Sequence, residues 1–304
     1  MPRRAPLSIP KNSPALQYLS GESLAQETAA PLAPGLYIVS TPIGNLRDIT
    51  LRALDVLQAA EHILAEDTRQ TRKLCEVYSI SSPLSAYHDH NAAARVPDLI
   101  ERLKAGAKIA LVSDAGTPLV SDPGFRLVRA AVEAGIDVWP VPGASALLAG
   151  LVKSGLPSNA FHFAGFLPPK SGARQTALSK LASVQATLVF FETGPRIAKV
   201  LADVAKILGD RPVVLTRELT KRYEEARHGT AEELLGSVQE TPPKGELVLL
   251  IGPPNEDTLW SKSQIEAALT EQIADVGVKR ASTAVAELSG WPKRDVYALA
   301  LNLN

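Results

Sequence analysis

Four short stretches of this 304-residue chain have the composition of ligand-binding turns. They are Thr41-Pro42-Ile43-Gly44-Asn45-Leu46, Glu66-Asp67-Thr68-Arg69, Asp114-Ala115-Gly116-Thr117-Pro118 and Pro142-Gly143-Ala144-Ser145. Each offers a glycine, a small residue or a carboxylate where a bulky side chain would obstruct a bound molecule. Glycine permits close backbone approach and positive φ. A carboxylate such as Asp114 accepts hydrogen bonds from ribose hydroxyls or an amino group. Turns between strands and helices favour Gly, Asp, Ser and Thr in any case, so one such turn alone says little. Several at one sheet edge point to a shared pocket. Candidate proton acceptors are Glu66, Asp67, His88, Asp89, His90 and Asp114, and residue type does not choose among them. Asp114 suits ligand binding better than proton transfer, while Glu66 and Asp67 are equally suited to bonding backbone amides and Arg69. His88 and His90 flank Asp89 without a cysteine or further ligand set, so no metal site is expected there.

Elements must place these turns together. Leu36 to Val39 is a short apolar run bounded by Gly35 and Pro42 and reads as a buried strand. Leu51, Leu54 and Leu57 suit a helix over 50–60, capped by Asp48 or Thr50. The pattern then repeats: strands at 62–65, 108–113 and 137–141, helices at 68–78, 92–105, 123–135 and 144–153. Strands alternating with helices imply a mostly parallel sheet covered on both faces. Ligands bind outside the carboxyl ends of such strands, where all four turns fall.

A turn-rich stretch at 154–161 separates a second set, with strands at 161–164, 186–191, 213–216 and 246–251 and helices at 172–182, 196–208 and 231–238. Val278, Ala281, Val285 and Leu288 lie at helical spacing, and Ser289-Gly290-Trp291-Pro292 separates them from a last helix, a helix-turn-helix outline. The expected layout is a disordered tail over 1–33, α/β domains over 34–153 and 154–256, and a small helical domain over 257–304.

The chain is 45% hydrophobic and 21% charged, as expected for a globular protein with a sizeable core. Thirty-two basic and thirty-two acidic residues cancel, so any nucleic-acid contact must come from a local basic patch. The lone cysteine, Cys75, makes no internal disulfide and reads as a structural helix residue. No run approaches the ~20 apolar residues of a membrane span, and the N-terminus lacks the apolar core of a signal peptide, so a cytoplasmic location is expected. The absence of GxxxxGK[ST] and GxGxxG disfavours a P-loop NTPase or a dehydrogenase of the usual fingerprint.

The strings VSTPIGNLRDITLRALDVLQ, AEDTR (65–69), YHDHN (87–91), LVSDAGTPLVSDPG (111–124), VPGASA (141–146), GFLP (165–168) and RELTK (217–221) together resemble one family. It is the tetrapyrrole methylase superfamily and, within it, the bacterial small-subunit ribosomal RNA 2′-O-ribose methyltransferases. The resemblance runs from about 35 to 252 and extends into the tail. It implies an α/β fold of two αβα domains with a small helical C-terminal appendage. It implies S-adenosylmethionine as cofactor, in the cleft between the domains, and methylation of a cytidine ribose in the decoding region of small-subunit RNA. Asp114, Ala115, Gly116, Pro142, Gly143, Ala144 and Ser145 should then line the cofactor site, with Pro42 and Gly44 shaping its floor. Members of the superfamily form dimers, so a homodimer is expected. The chain departs from its relatives at Phe190-Phe191-Glu192-Thr193-Gly194-Pro195-Arg196, where they commonly carry a Tyr and Ser-Pro-His-Arg.

An RNA or 30S partner directs attention to Arg69, Arg72, Lys73, Lys170, Arg174, Arg196, Arg217, Lys221 and Arg222, and in the tail to Lys279, Arg280, Lys293 and Arg294. Most charged pairs on helices are solvated faces; a phosphate site needs them to converge. Three alternatives stand beside this reading. One is a methyltransferase of the same fold acting on a tetrapyrrole precursor or a modified protein residue. The others are an RNA-binding assembly factor without catalysis, and a flavodoxin-like nucleotide-binding module.

Overall fold

The computed structural model of the protein describes residues 32–254 and 260–303. The expected disordered tail and the boundary near 256 thus lie outside the described residues, apart from residues 32 and 33. Those two are tied down: Leu32 packs at the edge of a core and Ala33 O accepts the Tyr37 hydroxyl at 2.7 Å.

Two five-stranded sheets organise the chain. The first contains β1 (Gly35–Val39), β2 (His62–Ala65), β3 (Leu84–Ala86), β4 (Lys108–Val112) and β5 (Val138–Val141) in the order β3-β2-β4-β1-β5. All its pairings are parallel. Such strands are buried on both faces and read as continuous apolar runs. Alternate residues therefore feed opposite cores. Ala110 and Val112 join the core beneath helices Leu51–Ala59 and Thr68–Val77. Ile109 and Leu111 join the one beneath helices Asp89–Lys104 and Phe125–Glu133. Thr50 caps the first helix, its hydroxyl accepting from Ala53 N at 3.1 Å. Strand β3 escaped the sequence reading because three half-buried edge residues leave no periodic signal.

The second sheet contains β6 (Phe161–Phe166), β7 (Thr187–Thr193), β8 (Val213–Arg217), β9 (Glu225–Gly229) and β10 (Glu246–Ile251) in the order β6-β7-β10-β8-β9. Only β6 and β7 run parallel; β10 pairs antiparallel with both β7 and β8, and β9 lies antiparallel on β8. Strand β9, Glu-Ala-Arg-His-Gly, is a polar edge strand without the usual strand composition. Leu188 and Phe190 face helices Ser171–Leu181, Gly194–Leu208 and Ala231–Glu240, whereas Val189 and Phe191 face helix Ala146–Ser154.

Compactness divides the chain differently from the expected boundary at 153. Among the described residues, one unit contains 32–41 and Ile49–Gly143; the other contains Pro42–Asp48 and those from Ala144 onward. Helix Ala146–Ser154 belongs to the second unit because its apolar face, with Leu151, packs on Val214, Val248 and Leu250. Gly150 makes that contact possible: a Cβ there would lie 3.0 Å from Val248 Cγ1. Gly150→Val is expected to destabilise the protein by about 1–3 kcal/mol through overpacking, read as a lower urea midpoint at unchanged m-value. The tail forms helix Lys262–Ser289, broken at Gly277 (φ 76°), and helix Lys293–Asn302, joined through Gly290 (φ 72°). Ile265, Leu269, Ala281, Val285, Val296 and Ala300 form their shared core, while Leu288 is exposed.

Candidate functional site

Within the first unit, the turns at the carboxyl ends of β1, β2, β4 and β5 come together. Thr41 and Gly116 form an isolated antiparallel bridge, Thr41 N donating to Gly116 O at 2.8 Å and Gly116 N to Thr41 O at 3.0 Å. The bridge needs Gly116 at φ 79°, a region that favours glycine. The hydroxyls of Ser40 and Thr117 lie 3.0 Å apart. A Cβ on Gly143 would stand 3.0 Å from that of Ser40, so β5 passes close against the end of β1. Asp114 Oδ1 accepts the backbone N–H of Asp67 at 2.8 Å, linking the β4 and β2 turns. The result is a rim of backbone and small side chains with an exposed carboxylate, Asp114, on it. Such a rim fits a nucleoside-bearing cofactor: flat surface reaches the backbone, and a carboxylate meets hydroxyls.

The carboxylates after β2 differ in state. Asp67 caps helix Thr68–Val77, its Oδ1 accepting from Arg69 N at 2.8 Å while the Arg69 guanidinium lies 2.7 Å from Oδ2. The Arg69 hydrogen bonds hold its carboxyl down to about 2. Glu66 goes the other way: burial, then the charges of Asp122 and Asp114, raise its pKa. The two neighbouring carboxylates are thus pushed in opposite directions. His88 and Asp89 open helix Asp89–Lys104, where the Asn91 amide N lies 3.3 Å from His88 Nε2 and the His88 and His90 rings meet edge-on at 5.9 Å. Cys75 is buried, and burial raises its thiol, as a structural residue requires.

Pro42, Gly44, Ala144 and Ser145 fall in the second unit. Gly44 has a local reason for its type: a Cβ there would fall 2.3 Å from Lys221 Cγ. Asn45 N donates to Thr220 Oγ1 at 3.2 Å, so the TPIGNL and RELTK strings are stitched together. Lys221 also pairs with Glu218 at 3.0 Å. Glu218 (φ 49°) and Thr220 (φ 65°) in this turn, like Leu119 (φ 71°) and Ser121 (φ 66°) after the SDAGTP string, occupy the left-handed region. A β-branched residue there is a strained outlier of the kind that gathers at functional sites. Nothing in the residue types signals these positions, nor the Ser40–Thr117 pair.

The expected RNA contacts separate by burial. Arg174 is a correction: it is 3% exposed, paired at 2.6 Å with Asp203, itself 7% exposed, and donates to the carbonyls of Pro168, Pro169 and Lys199. Its charge is spent inside the protein. Arg196 is half engaged, at 3.1 Å from Glu192 and donating to Leu167 O. Arg217 pairs with Glu225 at 2.8 Å. Arg69, Arg72, Lys170, Lys279 and Arg280 are exposed. Gly194, in the Phe190–Arg196 stretch, is enforced: a Cβ would lie 2.2 Å from Pro243 O.

Residues 35–235 match the model of tetrapyrrole (corrin/porphyrin) methylases. The chain belongs to that family. Residues 261–304 match a second model, described as the RsmI C-terminal HTH domain. A Mesorhizobium japonicum protein named ribosomal RNA small subunit methyltransferase I is 48% identical over 90% of this chain and 94% of its own length. One of the same name from Haemophilus influenzae is 46% identical over 88% and 96%. Among solved structures, diphthine synthase superposes with a TM-score of 0.56 at 15% identity, covering 87% of this chain and 99% of that one. Uroporphyrin-III C-methyl transferase from Thermus thermophilus, complexed with S-adenyl homocysteine, gives 0.50 at 22% identity over 72% and 97%. At these identities the structures share the fold of two sheets seen here. No helix among the described residues is long and apolar enough to cross a membrane.

Proposed function

We propose that the protein methylates the 2′-hydroxyl of a cytidine in the decoding region of small-subunit ribosomal RNA, using S-adenosylmethionine. The observation that carries this reading is likeness over nearly the full chain, at 48% and 46% identity, to relatives named for small-subunit ribosomal RNA methylation. The protein is an S-adenosylmethionine-dependent methyltransferase acting on that RNA; the cytidine, the 2′-oxygen and the residue roles below are the finer part of the proposal.

Asp114, Ala115, Gly116, Pro142 and Gly143 hold the cofactor, which supplies an electrophilic methyl with a good leaving group already attached. The chain's own contribution is alignment and proton removal. Holding a hydroxyl in line with the methyl, about 3 Å away, supplies several kcal/mol. Glu66 accepts the hydroxyl proton as the bond forms. Its burial and its neighbours Asp122 and Asp114 make it the more basic carboxylate of the β2 turn. Arg69, Arg72, Lys170, Lys221, Lys279 and Arg280 contribute phosphate contacts. A homodimer completes the reading, with Leu148 and Val152 exposed one helical turn apart on helix Ala146–Ser154 and exposed Tyr223 beside the Lys153–Glu224 ion pair. The expected compartment is the cytoplasm, where the substrate is made.

The test is methyl transfer from labelled S-adenosylmethionine to small subunits from cells lacking the enzyme, comparing wild type with Asp114→Ala. Label is expected on a ribose of the small-subunit RNA. Loss of one charge-assisted hydrogen-bond partner should weaken cofactor binding about 10- to 100-fold. Tight cofactor binding without transfer to subunits or free RNA would leave the family intact and move the acceptor to a tetrapyrrole precursor or a protein residue.

A further inference from the structure

The loop after β6 is built as a rigid platform. Its carbonyls at Leu167, Pro168 and Pro169 are gripped in succession by two arginines, Arg196 on the first and Arg174 on the next two. Each arginine is neutralised by a buried carboxylate, Glu192 (2% exposed) for Arg196 and Asp203 for Arg174. Pro168 and Pro169 have fixed φ and no N–H to satisfy.

The end of β6, which leads into this loop, presents an aromatic ring. Between Phe163 and Phe166 the register of β6 against β7 slips: Phe163 pairs with Val189, but Phe166 pairs with Phe191. Gly165, at φ 63°, absorbs the slip. Bulges are uncommon between parallel strands, and they serve to re-aim side chains. Here the bulge puts Phe166 beside Phe191, with ring centroids 5.8 Å apart and an edge-to-face angle of 64°. Phe191 is itself braced by Phe163 at 4.8 Å. Phe166 still stands 49% exposed. A bulge, an aromatic brace, a buried ion pair (Arg174–Asp203) and a half-exposed one (Arg196–Glu192) hold an apolar ring in water, where a core role would have buried it. Lys170, exposed and at the N-cap of helix Ser171–Leu181, stands at the other end of the same loop.

We infer that Phe166 is a stacking platform for an unpaired nucleobase of the RNA substrate, with Lys170 receiving an adjacent phosphate. Methylating a ribose inside a folded subunit requires single-stranded or splayed nucleotides. An exposed ring followed four residues later by an exposed cation is the chemistry that holds such a strand without reading its sequence. Burial of the ring by a second protein chain is the competing outcome, and the test below separates it by oligomeric state. The inference rests on the RNA reading above.

Phe166→Ala, Phe166→Trp and Lys170→Ala are compared with wild type in transfer to unmethylated small subunits, in cofactor affinity and in thermal melting. Phe166→Ala is expected to raise KM for subunits about 5- to 150-fold, the loss of one base–aromatic stack, with cofactor affinity unchanged and melting lowered only by the lost edge-to-face contact with Phe191. Phe166→Trp should restore KM. Its emission, corrected for wild type, should be quenched by a cytidine-containing RNA strand but not by the abasic strand of equal length. Lys170→Ala should flatten the salt dependence of KM. An unchanged KM in a folded, active Phe166→Ala sinks the platform alone. So does equal quenching by the abasic strand, or a Phe166→Ala protein that has turned monomeric on light scattering. A wild type that methylates no RNA sinks the underlying reading and the platform with it.

Discussion

Glu66→Gln should reduce single-turnover methyl transfer about 10²- to 10⁴-fold, the range for removing a general base, while cofactor binding is retained. The pH dependence carries the sharper information. Burial, then Asp122 and Asp114, raise the Glu66 pKa, so the wild-type rate should climb with pH along a limb set above the ordinary carboxylate range. The Gln variant should lose that limb. Stability should move oppositely. A carboxylate with a raised folded-state pKa penalises folding fully above that pKa, and the penalty fades as pH falls toward the unfolded value. The Gln variant is therefore expected to be the more stable protein at neutral pH and to lose this advantage in acid. Asp67→Asn serves as the control. Its carboxylate is held down to about 2 by Arg69 and caps a helix, so its loss should leave the rate limb in place. An unchanged limb in Glu66→Gln would remove Glu66 from the chemistry.

Arg174→Ala should cost about 3–5 kcal/mol of stability, as expected when one partner of a buried ion pair is removed. The arginine touches Asp203 at 2.6 Å and three backbone carbonyls. Without it, Asp203 keeps, among the described residues, Ser171 and Gln175 as donors. Replacing both partners, as in Arg174→Met with Asp203→Leu, should recover most of the loss, because an apolar pair of similar volume has no desolvation to offset. Urea denaturation of the three proteins distinguishes the cases. A loss under about 1 kcal/mol for Arg174→Ala would mean that the pair behaves like an exposed one. Asp203 adds a pH signature. Burial pushes its carboxyl up, but Gln175, Arg174 and Ser171 outweigh burial and the net pKa is lowered. Its contribution is then present above the unfolded pKa and is lost as pH falls through the folded one. Asp203→Asn should flatten acid unfolding in that window.

Much of the molecule is determined along the chain. The apolar runs 36–39, 62–65 and 108–112 are strands because a parallel sheet buries both faces. The turns that follow them carry Gly, Asp and Ser because close approach and capping require those types. The same local logic marked the second set of strands and the helical tail.

Tertiary structure decided the rest, wherever the deciding neighbour is distant in sequence. Strands β3 and β9 are edge strands, held by one partner each rather than by their own composition. Helix Ala146–Ser154 follows the first sheet in sequence and packs on the second, because Gly150 admits Val248. Arg174 looked like a surface cation because burial cannot be read from a charged residue; Asp203, 29 residues away, is what draws it inside. Glu66 and Asp67 are adjacent carboxylates that the sequence leaves equivalent. Arg69 and the helix cap take one of them, while burial, and then the charges of Asp122 and Asp114 from the chain after β4, set the other apart. Composition specifies which residues are able to do chemistry; only packing fixes which of them are free to do it, since both charge state and exposure depend on neighbours that the chain supplies from elsewhere.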